Sequence, residues 1–248
     1  MPTLFITSSP CAPAPDAKLP FVFWEGNGFA ELFIRSLPPH PRVFMVAAYP
    51  DAHEHNDRMT ADFQAALTHH GRTPEWMIMV DDRNAGQMVP RLPSVDLLIL
   101  SGGHVPTQNR FFHECGLVSA AASLREDAVV MGISAGSMNM ADTVYIQPEE
   151  KGEAVDPSFR RWGRGLGLTP FQILPHLQNV RNDILDGLRL FEDITFHDSI
   201  GHTFYALPDR SFLYAHAGIT TLCGEGWTIS DGIMTKVTSG GEHLTLRA

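Results

Sequence analysis

The chain has 248 residues, of which 28 are acidic and 18 basic, so its formal net charge is −10 at pH 7. With 44% hydrophobic and 19% charged residues, the composition is that of a globular protein and excludes an intrinsically disordered chain. The negative charge also argues against general binding to nucleic acid or anionic membranes, which requires a positive surface.

Three cysteines, Cys11, Cys115 and Cys223, are too few and too scattered for a disulfide framework or a CxxC metal site. The first residues do not form a basic and then apolar leader. No apolar run reaches the roughly 18 residues that a membrane-spanning helix needs. We therefore expect a cytoplasmic protein in a reducing compartment.

Short apolar runs alternate with longer amphipathic ones in the first half of the chain. Strands are predicted at residues 4–6, 43–47, 76–80, 97–100 and 129–132, and helices at 27–37, 54–68 and 110–124. Because the strands are continuously apolar, both faces of their sheet should be covered. The predicted fold class is α/β, with a mainly parallel central sheet and helices on both faces.

After residue 140 the pattern changes to short β-like runs at 204–207, 212–214, 227–229 and 233–237. The dipeptides Asp231-Gly232 and Gly240-Gly241 are typical hairpin turns, so we predict C-terminal antiparallel hairpins. A helix is predicted at 182–191, and the polar stretch 149–167 is interpreted as an active-site loop or an insertion. We expect one domain over residues 1–248, with a β extension from about 201 to 248.

The sharpest local signal is Gly-Ile-Ser-Ala-Gly-Ser at residues 132–137, between an apolar strand and a helix-like segment at 138–142. A serine on such a turn needs strained backbone angles and small neighbours, which glycines two residues to either side supply. The helix that follows would point N–H groups toward a developing oxyanion. Ser134 is therefore a candidate nucleophile. The alternative is a serine that only caps the helix.

A second signal is Ser-Gly-Gly-His at residues 101–104, which ends the preceding predicted strand. Ligands of such sheets bind beyond the carboxyl ends of the strands. A glycine pair there lets the backbone approach a substrate, and one of its N–H groups would complete an oxyanion hole. A tight left-handed turn alone would also require glycine.

A serine nucleophile needs a base and an orienting carboxylate. Among 12 histidines, His176 stands out because it ends the strand-like run 171–175. The carboxylate is Asp209, in a turn between two strand-like runs, or Glu149 or Glu150 in the polar loop, and spacing does not choose between them. Five other histidines lack a known metal-ligand spacing, so no metal is expected there: His53, His55, His69, His70 and His113.

Four motifs occur in a recognisable order along the chain. They are Ser-Gly-Gly at 101–103, Gly-Ile-Ser-Ala-Gly-Ser at 132–137, Gly-Leu-Thr-Pro-Phe-Gln-Ile-Leu-Pro-His at 167–176 and Ala-Leu-Pro-Asp at 206–209. Together they resemble the peptidase E family of serine peptidases, which includes aspartyl dipeptidase and cyanophycinase, over about residues 40 to 215. The resemblance implies a fold like that of class I glutamine amidotransferases, with serine in place of cysteine, and a reaction that needs no cofactor.

The resemblance also implies roles for individual residues. Ser134 would be the nucleophile, His176 the base and Asp209 the third catalytic residue. Asp209 stands where the family usually has glutamate followed by glycine, so the acid is one methylene shorter and Arg210 replaces the glycine.

Around this triad, the resemblance places the backbone N–H groups of Gly103 and Ala135 in an oxyanion hole. His104 takes the place of the family's usual asparagine or aspartate, where we expect it to contact substrate. Arg181 is the candidate partner of a substrate's N-terminal aspartate, as in aspartyl dipeptidase. Glu149 or Glu150 would instead bind a substrate ammonium.

The predicted function is that of a serine exopeptidase or dipeptidase acting on small peptides, with N-terminal aspartate as one possible preference. A homodimer is the expected assembly, and neither nucleic acid nor membrane is an expected partner. Two alternatives stay open. An α/β-hydrolase-type esterase would combine Ser134 with Asp209 and either His216 or His243, and an amidotransferase-like binding module would have no activity.

Overall fold

The computed structural model describes residues 1–14 and 19–247. Its strands, in chain order, are β1 (Thr3–Thr7), β2 (Cys11–Ala12), β3 (Val22–Phe23), β4 (Arg42–Val46), β5 (Trp76–Val80), β6 (Leu97–Leu100), β7 (Val129–Ile133), β8 (Thr143–Tyr145), β9 (Trp162–Arg164), β10 (Gln172–Leu174), β11 (Ile184–Leu185), β12 (Leu188–Arg189), β13 (Thr203–Ala206), β14 (Phe212–His216), β15 (Ile219–Cys223), β16 (Gly226–Ser230), β17 (Ile233–Thr238) and β18 (His243–Leu246). The α-helices are α1 (Phe29–Arg35), α2 (His53–His69), α3 (Ala85–Met88), α4 (Val105–Glu114), α5 (Leu117–Ala120), α6 (Ala135–Met138), α7 (Leu177–Val180) and α8 (Phe196–Asp198).

Eight strands form the central sheet in the order β18-β15-β14-β1-β7-β6-β4-β5. The strands β1, β7, β6, β4 and β5 run parallel to one another. The strands β14, β15 and β18 extend the sheet at one edge and pair antiparallel. The predicted mainly parallel α/β fold with C-terminal antiparallel strands is confirmed.

The core lies on both faces of this sheet. Leu4 and Ile6 of β1 belong to one hydrophobic cluster, whereas Phe5 between them belongs to the other. Buried residues of α1 and α2 join the cluster of Phe5, and those of α4 and α6 join the cluster of Leu4 and Ile6. Helices therefore cover both faces, which explains why the strands are apolar throughout.

A second sheet, in the order β10-β13-β16-β17, packs against the Leu4 and Ile6 cluster. Asp231 and Gly232, with φ of 50° and 79°, form the predicted hairpin turn between β16 and β17. The prediction of a hairpin at Gly240-Gly241 is wrong, because β18 leaves this sheet and pairs with β15 of the central sheet.

The helix predicted at 182–191 is also wrong. The strands β11 and β12 form a hairpin there, closed by Asp186 and Gly187 with φ of 54° and 84°. A single π-helical turn over Leu190–Thr195 follows. An Asp-Gly pair favours left-handed backbone angles and a two-residue turn, and here this preference outweighs the helical spacing of the apolar residues.

Two other helices differ from their predicted bounds. The helix predicted at 110–124 begins at Val105 and is interrupted at Gly116, whose φ is 79°. The helix-like segment predicted at 138–142 lies at Ala135–Met138, directly after Ser134. Among the described residues, the helices are too short or too polar to cross a bilayer.

Candidate active site

Ser134 occupies the sharp turn between β7 and α6. Its backbone angles are φ 50° and ψ −114°, outside the regions that non-glycine residues usually adopt. A Cβ on Gly136 would lie 2.2 Å from the carbonyl oxygen of Leu100, and one on Gly132 would lie 2.6 Å from Ser137 Cα. Only glycine fits at both positions, so the motif builds the strained turn that an exposed nucleophile requires.

His176 lies between β10 and α7, immediately before α7, and has a φ of 56°. Its Nε2 lies 2.9 Å from Ser134 Oγ, and its Nδ1 lies 2.7 Å from Asp209 Oδ1. An ionised carboxylate can only accept a hydrogen bond, so Nδ1 carries the proton and Nε2 is free to accept from the serine hydroxyl. The order of contacts is that of a serine–histidine–aspartate triad.

Asp209 follows β13, and its carboxylate receives three donors. His176 Nδ1 and Ser8 Oγ donate to Oδ1, and Gln178 Nε2 donates to Oδ2 at 2.7 Å. Burial alone raises the pKa of Asp209, but the hydrogen bonds from these donors and the charge of His176 outweigh it, so the pKa is lowered overall. The carboxylate is therefore ionised at neutral pH, as an orienting acid must be.

Two residues at this site, Ser8 and Gln178, were not found from the sequence. Ser8 follows β1, the strand beside β7, so its position at the carboxyl end of a parallel strand was an available signal. Gln178 Oε1 accepts the backbone N–H of Asp209 at 3.0 Å while its Nε2 donates to the carboxylate. No local pattern in the sequence marks Gln178.

The turn at 101–103 lies beside the nucleophile. A Cβ on Gly102 would be 3.5 Å from Ser134 Cβ. Gly103 has a φ of 156°, and a Cβ there would lie 2.5 Å from Ala48 Cβ, so a larger residue would displace the turn. Ala135 is buried and is the first residue of α6, where an N–H has no acceptor within the helix.

A cavity of about 310 Å³ opens beside Ser134 and His176. Its lining residues are mostly apolar, with two carboxyl groups: Ser134, Met138, Gln147, Pro148, Glu149, Pro175, His176, Val180, Asp183, Ile184, Leu185 and Leu190. The β11–β12 hairpin, which had been predicted as a helix, thus contributes one wall. Among the lining residues that the structure describes, none is lysine or arginine.

Glu149 is exposed to solvent at the cavity but is crowded by the surrounding protein. This partial desolvation, followed by the charges of Glu153 and Glu150, raises the pKa of Glu149 to about 8. A cation bound beside this carboxyl group would favour its ionised form.

The other predicted substrate contacts lie elsewhere. His104 is absent from the cavity lining: its ring is buried, hydrogen-bonds Thr107 Oγ1 at 2.8 Å and donates to Glu153 Oε1 at 2.9 Å. The same Glu153 carboxylate accepts the backbone N–H groups of Glu149 and Glu150. Through Glu153, His104 thus stabilises the loop that carries Glu149.

Arg181 and Glu150 are exposed, and neither belongs to the cavity lining. The proposed contact of Arg181 with a substrate carboxylate therefore has no counterpart in the lining of this cavity. The Glu150 carboxylate lies instead within 4.8 Å of the possible ligand atoms of His104 and Glu153.

Two groups bring three possible metal ligands within 4.8 Å of one another: His53 with Asp81 and Asp82, and His104 with Glu150 and Glu153. Both oxygens of the buried Asp81 carboxylate already accept from Arg83. Both oxygens of Glu153 likewise accept hydrogen bonds. A metal at either group would have to compete with these contacts, and neither group reaches the triad.

The chain was compared with known proteins. The sequence profile of Peptidase family S51 matches residues 36–218, which is most of the chain. The chain belongs to peptidase family S51. It is therefore a serine-type peptidase, a hydrolase, and its resemblance to the peptidase E family is confirmed. No curated protein sequence matches this S51 peptidase significantly.

Two solved structures share the fold of this S51 peptidase. A peptidase from an acI-B1 Actinobacterium superposes with a TM-score of 0.69 at 14% identity, covering 99% of this chain and 97% of the other. A putative peptidase E protein from Listeria monocytogenes EGD-e superposes with a TM-score of 0.59 at 15% identity, covering 96% and 100%. At these identities the likeness concerns the fold.

Proposed function

We propose that this S51 peptidase hydrolyses small peptides through an acyl-enzyme on Ser134, with His176 as general base and Asp209 as the orienting acid. The observation that carries the proposal is the unbroken chain of contacts from Ser134 Oγ to His176 Nε2, at 2.9 Å, and from His176 Nδ1 to Asp209 Oδ1, at 2.7 Å. Both distances are within hydrogen-bond reach without any movement of the protein.

The reaction follows from this geometry. Ser134 Oγ attacks the scissile carbonyl while its proton passes to His176 Nε2, and the resulting imidazolium is stabilised by Asp209. The N–H groups of Gly103 and Ala135 stabilise the tetrahedral oxyanion. His176 then gives the proton to the leaving amine, and the ester forms on Ser134. A water molecule, deprotonated by the same nitrogen, releases the acyl product and restores the serine.

The esterase alternative lacks a base at the right place. His216 Nδ1 hydrogen-bonds Thr3 Oγ1 at 2.9 Å, at the amino end of β1 and away from the nucleophile. His243 begins β18, the outermost strand of the central sheet. The binding-module alternative leaves unexplained why a complete proton-transfer chain is maintained.

For the substrate, we propose a peptide whose free N-terminal ammonium binds Glu149. The carboxyl group of Glu149 lines the cavity that contains Ser134, and a cation bound beside it would favour the ionised form that desolvation and the charges of Glu153 and Glu150 disfavour. The apolar walls favour an aliphatic side chain on the N-terminal residue. An N-terminal aspartate is not favoured, because Arg181 lies outside the lining and two carboxyl groups would face it.

The size of the cavity supports a short substrate. A volume of about 310 Å³ is near the lower end of the range for small-molecule sites, about 300 to 1,000 Å³. It accommodates one residue of a peptide together with its ammonium group, which suits a dipeptidase or aminopeptidase.

The proposal is tested with a matched pair of substrates, leucine p-nitroanilide and its N-acetyl derivative, and with a fluorophosphonate that labels active serines. We expect hydrolysis of the free amine, little hydrolysis of the acetylated compound, and labelling that disappears in Ser134→Ala. His176→Ala should abolish activity, whereas His243→Ala, a histidine change on the outer strand, should not. Full activity in Ser134→Ala would overturn the proposed reaction. Equal hydrolysis of both substrates would overturn the ammonium site alone.

A further inference from the structure

Ser8 contacts all three members of the proposed triad. We infer that Ser8 is a positioning residue that fixes His176 and Asp209 relative to Ser134, an inference that rests on the proposed function. The side chain is fully buried at the end of β1, so water does not reach it to replace its contacts.

The directions of its hydrogen bonds are fixed by chemistry. The Asp209 carboxylate can only accept, so the Ser8 hydroxyl donates its single proton to Oδ1 at 2.9 Å. The backbone N–H of His176 can only donate, so it donates to Ser8 Oγ at 2.8 Å. One hydroxyl thus bridges the main chain of the base and the side chain of the acid.

The backbone of Ser8 makes the third connection. Its carbonyl oxygen accepts the N–H of Ser134 at 3.0 Å, sharing that donor with the carbonyl of Thr7. Ser134 and His176 both have positive φ, of 50° and 56°, which side-chain-bearing residues rarely adopt. Ser8 accepts a hydrogen bond from the backbone N–H of each of these two strained residues and so stabilises the conformation in which their side chains meet.

The contact with Asp209 matters for proton transfer. Oδ1 receives both Ser8 Oγ and His176 Nδ1, which fixes the carboxylate in the orientation that points at the imidazole. Without the Ser8 hydroxyl, the described side chains that still hydrogen-bond the carboxylate would be Gln178, at Oδ2, and His176 itself, and the N–H of His176 would lose its acceptor. Base and acid would then lose their fixed alignment while the cavity walls stay unchanged.

The experiment compares Ser8→Ala with Ser199→Ala. Ser199 is an equally buried serine whose hydroxyl also donates once, to the carbonyl of Phe196, and accepts once, from the N–H of Gly232. Both variants lose the same number of hydrogen bonds, so their losses of thermal stability should be similar. We expect kcat to fall about 10- to 100-fold in Ser8→Ala with KM within about twofold of wild type. In Ser199→Ala kcat should not change.

The rate at which a fluorophosphonate labels Ser134 provides a second readout and should fall in parallel with kcat. If Ser8→Ala does not fold, Ser8→Cys keeps the size of the side chain but offers a weaker donor, and its kcat should fall several-fold. A kcat in the folded Ser8 variant equal to that of Ser199→Ala would overturn the inference. Ser134→Ala distinguishes failure of the proposed function from failure of the role of Ser8. If Ser134→Ala stays active, the proposed function is wrong. If Ser134→Ala is inactive and Ser8→Ala is not impaired, only the role of Ser8 is wrong.

Discussion

Asp209→Asn is the change that most directly tests how the acid acts. Asparagine keeps the size of the side chain but replaces one acceptor oxygen by an NH2 group, which cannot accept. Gln178 cannot simply turn its amide round, because its Oε1 already accepts the N–H of Asp209. The new NH2 group therefore faces either Gln178 Nε2, so that two donors meet, or His176 Nδ1. In the second case the histidine proton moves to Nε2, where it blocks acceptance from Ser134.

The magnitude follows from the lost charge. A carboxylate and an imidazolium about 4 Å apart attract by about 4 kcal/mol at an effective dielectric constant of about 20. The side chains of His176 and Asp209 are 33% and 35% exposed, so water and salt reduce this attraction. We therefore expect kcat to fall about 10²- to 10³-fold, since each 1.36 kcal/mol changes the rate about tenfold.

The assay is steady-state hydrolysis of a free-amine peptide substrate, together with the rate of fluorophosphonate labelling. Both rates should fall by a similar factor in Asp209→Asn while KM changes little, because Asp209 is absent from the cavity lining. Asp96→Asn is the matched control: this carboxylate also receives several donors, from Arg42 and Arg125, but lies at the amino end of β6. It should lose stability and keep its kcat.

A kcat in Asp209→Asn within about fivefold of wild type would refute this reasoning. The orienting role would then have to pass to another carboxylate, and Glu149 and Glu150 were the alternatives from sequence. In the structure neither hydrogen-bonds His176, whose Nδ1 contacts Asp209.

Four further predictions, made for three variants, concern the cavity and the two glycine turns. Glu149→Gln should raise KM for free-amine peptides about tenfold and leave N-acetylated ones unchanged. Folding raises the pKa of Glu149 from 4.5 to about 8, so the folded chain loses stability as pH rises through this interval. The melting temperature of wild type should therefore fall relative to that of Glu149→Gln between pH 5 and 9. Gly103→Ala should lower kcat on the order of 10²-fold, measured with the same substrate, because the new Cβ displaces the proposed oxyanion donor. Gly136→Ala should lower the unfolding free energy in urea by about 1 to 3 kcal/mol, because its Cβ meets the backbone of β6; unchanged stability would contradict this tight packing.

The parallel strands were predictable because their signal is local. The strands β5 and β6 have the predicted bounds, and β1, β4 and β7 differ from them by one or two residues. Each is an uninterrupted apolar run, which a buried parallel strand requires on both faces. The antiparallel strands β13, β14, β16 and β17 were also found, since turn residues separate them.

The errors in the fold have different causes. At 182–191 the sequence contained a turn signal, Asp186-Gly187, but the helical spacing of apolar residues received more weight. At Gly240-Gly241 the chain does turn, yet the strand that follows pairs with β15 rather than with β17. A turn is a local property, whereas the choice of pairing partner depends on which sheet edge is free, and the sequence around the turn does not contain that information.

The candidate site, like the fold, was predictable from the sequence only in part. Ser134, His176 and Asp209 each follow a strand. Because β10 and β13 are adjacent and parallel, His176 and Asp209 can be expected to meet, whereas Ser134 follows β7 of the central sheet. Ser8 also follows a strand, but a single serine in that position is common and gained meaning only when its two hydrogen bonds were visible. His104 was assigned to substrate from its place in a motif, whereas its buried pairing with Glu153 depends on a loop 49 residues further along the chain.

The charge of the chain and the chemistry of the cavity point to the same class of substrate. A net charge of −10 repels an acidic peptide at long range, and a site for such a peptide would need a local cation to compensate. The described cavity lining provides the carboxyl groups of Glu149 and Asp183 and no lysine or arginine, so it offers no cation to an acidic peptide. A peptide with a free ammonium and an apolar side chain satisfies both, because the ammonium meets a carboxyl group and the side chain meets the hairpin wall. Membership of family S51 thus accounts for the reaction. The residues that surround Ser134 in this chain are the reason why we propose a substrate without an N-terminal aspartate.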